Sequence, residues 1–487
     1  MIEYINHNAV KMIIFFLLFS GGLFFIAINN NNPKRLLFFL IFYIPLSFKS
    51  ASGTLSLYLI FFIYLLSFRT QIRTQSTDSQ NSMVSIDTIL IISILIATVF
   101  SIFNTGDLNF IYFDERKIRI EPDCLTIIIM FSNLALYFMV KKFIANKEDI
   151  IKIIKYMVIS GSIASLAGYL QLISPDNTLL FKYIVISNNP AWATRIAATM
   201  QGYEMLAEYT AILIVLSFLL LFLSQKKLSR IAYSALILNF FIIMTLTQTR
   251  GIYIAVAISI VYLIFLFFIT GKLKAGLKFS TGSVAIIVIL IISIIFIDQL
   301  RPDRSFIERF ERFGEVDVKQ GKFASRTSAW EYGYQMIHQM SLSEKLLGAG
   351  NKYLGGEKKG IRTGGWPHCL YFSYVIRDGF IGMGLLLLLF AWLYKASLNG
   401  IFHEKSLHDK ELTLIALCLH LAFIIFIIDE AKIEFIRSDR AQSIFWVIFG
   451  LIAACSSLVN KNLSKKSKLK GSLYFYFTIG SGILPLI

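Results

Sequence analysis

The chain has 487 residues, of which 56% are hydrophobic and only 16% charged, with a formal net charge of +17. Mean hydropathy is +0.67, whereas soluble domains carry about a quarter charged residues, so a soluble globular protein is excluded. The cationic excess invites a nucleic-acid partner, but Lys and Arg gather in short loops on alternate sides of apolar runs. That is the positive-inside pattern of a membrane protein, and no nucleic-acid partner is expected.

Apolar runs near bilayer length recur at 11–29, 36–48, 53–68, 86–103, 124–140, 153–173, 205–223, 231–247, 251–269, 282–298, 369–394, 411–428 and 441–459. They predict an all-α, polytopic membrane protein of about 12–13 transmembrane helices. The first run lacks a small-residue cleavage site and is followed by more spans, so it reads as a helix and not as a removable signal. The stretch 36–68 is either two short spans broken at Lys49–Gly53 or one interrupted span.

Basic groups at Lys141, Lys142, Lys147 and Lys152, at Lys226, Lys227 and Arg230, at Lys272, Lys274 and Lys278, and at Lys461–Lys470 fall on one side, assigned to the cytoplasm. The connections 104–123, 174–204, 248–250, 299–368 and 429–440 then face the opposite, periplasmic side. This divides the chain into N-terminal transmembrane helices (1–174), a membrane region holding the site (175–460, with the long outer loop 299–368) and a basic tail (461–487). Residues 472–487 are apolar but too short to span. Four scattered cysteines and no ligand spacing predict neither a disulfide nor a metal.

The long connection is the one place where the chain leaves the bilayer for long enough to build a site. Helical patterning from Phe323 to Ile337 puts Ala329, Trp330, Gly333, Tyr334 and Ile337 on one stripe. Gly348-Ala-Gly350 and Gly355-Gly356 interrupt it before His368, which opens the next span.

Four side chains gather at this outer face: Arg195, Arg250, Arg326 and His368. Arg250 is flanked by apolar runs, where an ionised group is costly by about 2.5–3.5 kcal/mol at a span centre and less near the interface. A guanidinium there suits a phosphate or diphosphate, which it grips in bidentate fashion; a snorkelling interface arginine is the plainer reading. His368 is the one of the four able to take a proton near neutral pH, either as a general base or simply as a helix-start cap. His338, in mid-helix, reads as structural. Arg377-Asp378 is an intramembrane pair or part of an outer cavity. Glu204 and Glu208 either bind a sugar or a basic partner or, more simply, are acids at a helix N-terminus, and Asp429-Glu430 with Arg437–Arg440 either complete the outer cavity or form a solvated turn. No phosphate loop, zinc-protease motif or serine-hydrolase elbow occurs.

Over Arg195–Gly382 the chain resembles the O-antigen ligase and polymerase superfamily of bacterial envelope glycosyltransferases. The resemblance rests on Leu-Thr-Gln-Thr-Arg250 opening a span, Ser-Arg326 followed by Ala-Trp330, Leu-Leu-Gly348-Ala-Gly350, and His368 with Gly379 and Gly382 at the ligase spacing. Cys369 stands where the ligases have Asn, Ser or Gln. The resemblance implies a GT-C type, inverting, metal-independent transfer without cofactor at the periplasmic face of the inner membrane. The donor would be a glycan on undecaprenyl diphosphate, the acceptor lipid A–core or another lipid-linked glycan, with membrane lipids around. Arg250 and Arg326, with Arg195 and Arg377 as further substrate-binding groups, would hold the diphosphate, and His368 would serve the acceptor hydroxyl. The ligase reading leads; polymerase, protein O-oligosaccharyltransferase and, from another class, a polysaccharide or lipid flippase are the alternatives.

Overall fold

A computed structural model describes residues 33–46, 85–104, 111–114, 117–120, 122–173, 195–200, 202–269, 326–350, 352–353, 357–358, 361–362, 367–402, 409–432 and 438–469. The expected spans at 11–29, 53–68 and 282–298, the first part of the long loop and the end of the basic tail lie outside the described residues. The helices are α1 (Pro33–Tyr43), α2 (Ile86–Asn104), α3 (Pro122–Phe143), α4 (Lys147–Ile173), α5 (Tyr203–Leu223), α6 (Lys227–Leu246), α7 (Arg250–Ile269), α8 (Arg326–Gln339), α9 (Leu342–Leu347), α10 (Leu370–Phe402), α11 (Lys410–Asp429) and α12 (Asp439–Leu469). Two short antiparallel hairpins, β1 (Ile111–Asp114) with β2 (Lys117–Ile120) and β3 (Glu357–Lys358) with β4 (Ile361–Arg362), lie in connections.

Among the described residues, eight helices (α2–α6 and α10–α12) are long and apolar enough to cross a membrane; α7 and the α1 segment are shorter apolar helices. The chain is therefore a multi-pass, predominantly helical membrane protein. Helix is the form such runs must take, because only there does each backbone group find its partner within the segment. Pro33 and Pro122 each start a helix, where a missing N–H is harmless. The 36–48 run ends as a helix at Tyr43 and closes in a 3-10 turn, Ile44–Leu46, containing Pro45.

Ion pairs tie the helix ends on the basic side: Lys34 to Asp149 (2.8 Å), Lys141 to Asp87 (2.5 Å), and Lys147 to Glu411 (2.7 Å) and Asp409 (3.2 Å). Tyr137 also donates its hydroxyl to Asp87. The core lies where α10, α11 and α12 meet. There Phe390 packs edge-on against Phe423, Phe426 and Phe449, with ring centroids 5.9, 5.6 and 5.9 Å away. Such contacts add about 0.5–1.5 kcal/mol beyond area burial. Deeper, the buried His420 imidazole joins three helices through Ser397 (2.7 Å) on α10 and Tyr262 (3.0 Å) on α7, and Tyr262 meets Tyr394 at 2.9 Å.

α10 is broken. Gly379 (φ 71°, ψ 179°) leaves the helical region, and the loop segment after α9 fills the break. The carbonyls of Ile376 and Arg377 accept backbone hydrogen bonds from Ala349 (2.9 Å) and Gly350 (3.0 Å). Asn104, at the end of α2, donates to the Gly348 carbonyl at 2.9 Å. The long loop is thereby moored to the membrane helix that His368 precedes.

The loop helix itself is narrower in its buried face than expected. Ala329, Gly333 and Met340 are buried, but Trp330 and Tyr334 are 42% and 59% exposed. Gly333 explains which face wins, because it lets α8 approach so closely that a Cβ there would stand 2.8 Å from Pro367 Cβ.

Candidate functional site

Arg195 sits on a turn fixed from two sides. Gln171 on α4 accepts the N–H groups of Ala197 (3.0 Å) and Ala198 (3.1 Å), and Ile196 donates to the carbonyl of Leu246, the last residue of α6. The guanidinium lies 4.3 Å from the centroid of the Tyr203 ring, a cation–π seat that holds it in place.

That same Leu246 leads into the turn carrying Arg250. Thr247 donates its hydroxyl to Met244 O (2.6 Å) and accepts from Thr249 N (3.3 Å). Tyr253 reaches back to Thr245 at 3.0 Å. Thr247, Gln248 and Thr249 are all buried, and α7 starts directly at Arg250. The Thr-Gln-Thr wording is thus a tight, side-chain-bonded reversal that leads into Arg250, within reach of the charge of Arg195. Two guanidinium groups within reach of each other's charge repel; an anion between them removes that repulsion.

His368 is half-buried at the start of α10, and the neighbouring backbone is anchored to α11. Leu370 N donates to Glu430 O at 2.9 Å, and the Tyr371 hydroxyl donates to Ile427 O at 3.0 Å. α8 packs on the same place through Gly333, against Pro367 and Phe372. Arg326 opens α8, two helical turns before Gly333, or about 10 Å along the axis; its side chain lies outside the described residues.

Lys432 connects the histidine side to the arginine side. It pairs with Asp429 at 2.5 Å and lies over Gly251, where a Cβ would stand 2.7 Å from its Nζ. The residue after Arg250 and the turn that anchors Leu370 are therefore in contact.

Backbone conformation marks the same region. Among the described residues, the non-glycine positions with positive φ are Ala198 (45°), Gln248 (54°) and His368 (49°). One is His368 itself, and the others lie within three residues of Arg195 and Arg250. Such conformations cost free energy and concentrate where the surrounding structure holds a site in shape.

Arg377 is placed otherwise than expected for a substrate-binding group. It is buried, donates through Nε (2.9 Å) and Nη2 (2.6 Å) to Asp378, and stacks over Tyr374 at 4.7 Å. Asp378 in turn accepts from Ser101 on α2 at 3.4 Å. This is a closed pair beside the Gly379 break. His338 is exposed on α8, edge-on to Tyr334.

Three acids expected at the surface are buried. Asp429 and Glu430 are not a solvated turn, since both are 0% exposed. Glu208 is not a surface acid at a helix start either; it is buried on α5, with the charges of Asp429 and Lys432 acting on it. The signal available in the sequence was an acid four residues inside an apolar run.

No protein-family model and no curated protein sequence matches the chain. The site therefore stands on its own geometry. Among the described residues, no three His, Cys, Asp or Glu side chains are grouped to hold a metal ion, and Cys369, Cys418 and Cys455 are buried and outside any disulfide.

Proposed function

We propose that the protein is an inverting, metal-independent glycosyltransferase that moves O-antigen polysaccharide from undecaprenyl diphosphate to lipid A–core at the periplasmic face of the inner membrane. The observation that carries this reading is the pairing of Arg195 with Arg250 at the end of the bundle where His368 opens α10. The motif set around those residues supports it.

In the reaction, an acceptor hydroxyl oxygen attacks the anomeric carbon and the bond from that carbon to the phosphate oxygen breaks. The electron pair leaves with undecaprenyl diphosphate, and the hydroxyl proton passes to the His368 imidazole. Arg195 and Arg250 meet the charge that grows on the diphosphate, a contribution that depends on donors fixed before the reaction starts. Arg326, which opens α8, is assigned to the same leaving group on the motif set alone. The prenyl tail lies among the helices, which accounts for a polar site placed at the membrane boundary.

A host lacking its own copy tests this through lipopolysaccharide banding. The native chain is expected to restore the O-antigen ladder, whereas Arg250→Ala and His368→Ala, inserted at native levels, do not. A full ladder from both variants overturns the reading. Accumulation of a single-repeat product in the deletion strain would point to the polymerase instead.

A further inference from the structure

We infer that His420 is a positioning residue: as the neutral Nε2–H tautomer it joins a one-way hydrogen-bond chain, Ser397 to His420 to Tyr262 to Tyr394, that fixes α7, and with it Arg250, against α10 and α11. The imidazole is fully buried halfway along α11. The rings of Tyr262 and Tyr394 flank it, with centroids 5.7 and 5.4 Å away. Both ring nitrogens are occupied, Nδ1 by the Ser397 hydroxyl at 2.7 Å and Nε2 by the Tyr262 hydroxyl at 3.0 Å.

The direction of the chain follows from the protons available. Tyr262 has one hydroxyl proton and donates it to Tyr394 at 2.9 Å. Towards His420 its oxygen can then only accept, so the imidazole carries its proton on Nε2. Ser397 has two acceptors within reach, Nδ1 and the Tyr394 carbonyl at 2.8 Å. The carbonyl lies inside α10, where the helix supplies a backbone donor. A bare Nδ1 would be an unpaired buried acceptor, which is costly, so the serine proton goes to Nδ1. An imidazolium would fill the same contacts, but both nitrogens face neutral hydroxyls, and a charge at mid-span is expensive.

The chain begins and ends on α10, at residues one turn apart. It is a closed loop that leads no proton across the membrane, and what it does is hold helices. In a bilayer, apolar side chains pack on helices and on lipid alike, so interhelical hydrogen bonds set how a helix is turned and how deep it sits. Tyr262 lies about 18 Å along α7 from Arg250. At its outer end the same helix meets Lys432 through Gly251. α7 is thus held at two levels by α11 and the turn after it, whose Ile427 and Glu430 carbonyls also anchor α10 beside His368. The chain thereby fixes the arginine side of the site relative to the histidine side. Its consequence for transfer rests on the transferase reading.

Solid-state NMR of the native protein in lipid, with 15N in the histidine side chains, reads the tautomer. The expected result is a neutral histidine, absent in His420→Gln, with Nε2 protonated and Nδ1 bare. In Tyr262→Phe the proton should move to Nδ1, because Ser397 can then accept it and turn its own proton to the Tyr394 carbonyl. Spin labels at the exposed Phe100 of α2 and Ile254 of α7 report where α7 stands. A narrow distance distribution is expected in the native protein and a broadened or shifted one in Tyr262→Phe and His420→Ala, with His420→Gln, which keeps a donor and an acceptor, restoring it. In the transfer reaction, Tyr262→Phe and His420→Ala should lower kcat about tenfold or more and leave the donor KM within about twofold, because a misplaced Arg250 is felt in the transition state. An Nδ1–H or doubly protonated His420 in the native protein, an unchanged spin-label distribution in both variants, or an unchanged kcat in active protein overturns the inference. The NMR and spin-label readouts use no glycan, so failure of the transferase reading would leave them standing and would be seen separately in the banding experiment.

Discussion

Gly348 and Gly379 meet face to face where the long loop enters the break in α10. A Cβ on Gly379 would stand 2.5 Å from Gly348 N, and one on Gly348 would stand 2.7 Å from the Arg377 carbonyl carbon. Both residues have positive φ with ψ near extended values (92°, 164° and 71°, 179°), a region open to glycine almost alone. The loop and the membrane helix are thus joined through main chain, at a point eleven residues beyond His368.

Gly379→Ala should therefore weaken this junction, by about 1–3 kcal/mol from backbone strain alone, with steric overlap adding to it. Hydrogen exchange would show lost protection at Ala349 and Gly350, whose N–H groups donate to Ile376 and Arg377. Unchanged protection at those two amides would contradict the mooring.

The Arg377–Asp378 pair should behave as structure. Arg377→Met leaves a buried carboxylate alone and is expected to destabilise by about 3–5 kcal/mol, whereas the double change Arg377→Met with Asp378→Leu should recover much of the loss. Thermal unfolding in detergent distinguishes the two. A well-folded Arg377→Met protein deficient only in substrate binding would return Arg377 to the binding set.

Two like charges within reach of one another at Arg195 and Arg250 should make the protein an anion acceptor even without lipid or glycan. Inorganic pyrophosphate is expected to raise the apparent stability, by about 2.7 kcal/mol at one hundred times its Kd. Arg250→Ala should abolish the shift. No shift in the native protein at any pyrophosphate concentration would argue against a diphosphate seat.

The loop carries one acid whose titration is readable. Lys352 (2.8 Å) and the Ser341 cap of α9 hold the Glu344 carboxyl down to about 2. Because the folded value is depressed, this stabilisation is complete above the ordinary carboxylate value of about 4.3 and fades as pH falls towards 2. Exchange protection of α9, corrected for intrinsic rates, should drop in that window in the native protein and be pH-independent there in Glu344→Gln. An identical pH response in both would remove Glu344 from the loop's stability.

Much of this was open to reading before any coordinates. Apolar runs of bilayer length specify helices because backbone polar groups have no other partners in lipid, and the basic loops sort the helix ends. Arg195, Arg250 and His368 could be picked out as charged or titratable groups at span boundaries. What stayed hidden depends on contacts without a side-chain pattern. The bonds from Ala349 and Gly350 to α10 are backbone to backbone, visible beforehand only as glycines of unexplained purpose. Read alone, Glu208 fits a helix start and Asp429 a solvated turn, and only packing of α5 against α11 buries both within reach of the Lys432 charge. Trp330 and Tyr334 share helical spacing with Gly333, but close approach at a glycine, and not bulk, decides the buried face of α8.

The most direct test of the whole account is transfer of a labelled glycan from undecaprenyl diphosphate to lipid A–core by purified protein in proteoliposomes. His368→Ala and Arg250→Ala are each predicted to be slower than the native protein by about 100-fold or more, with Arg326→Ala impaired alongside them. Transfer by His368→Ala at the native rate, in correctly inserted protein, would contradict it.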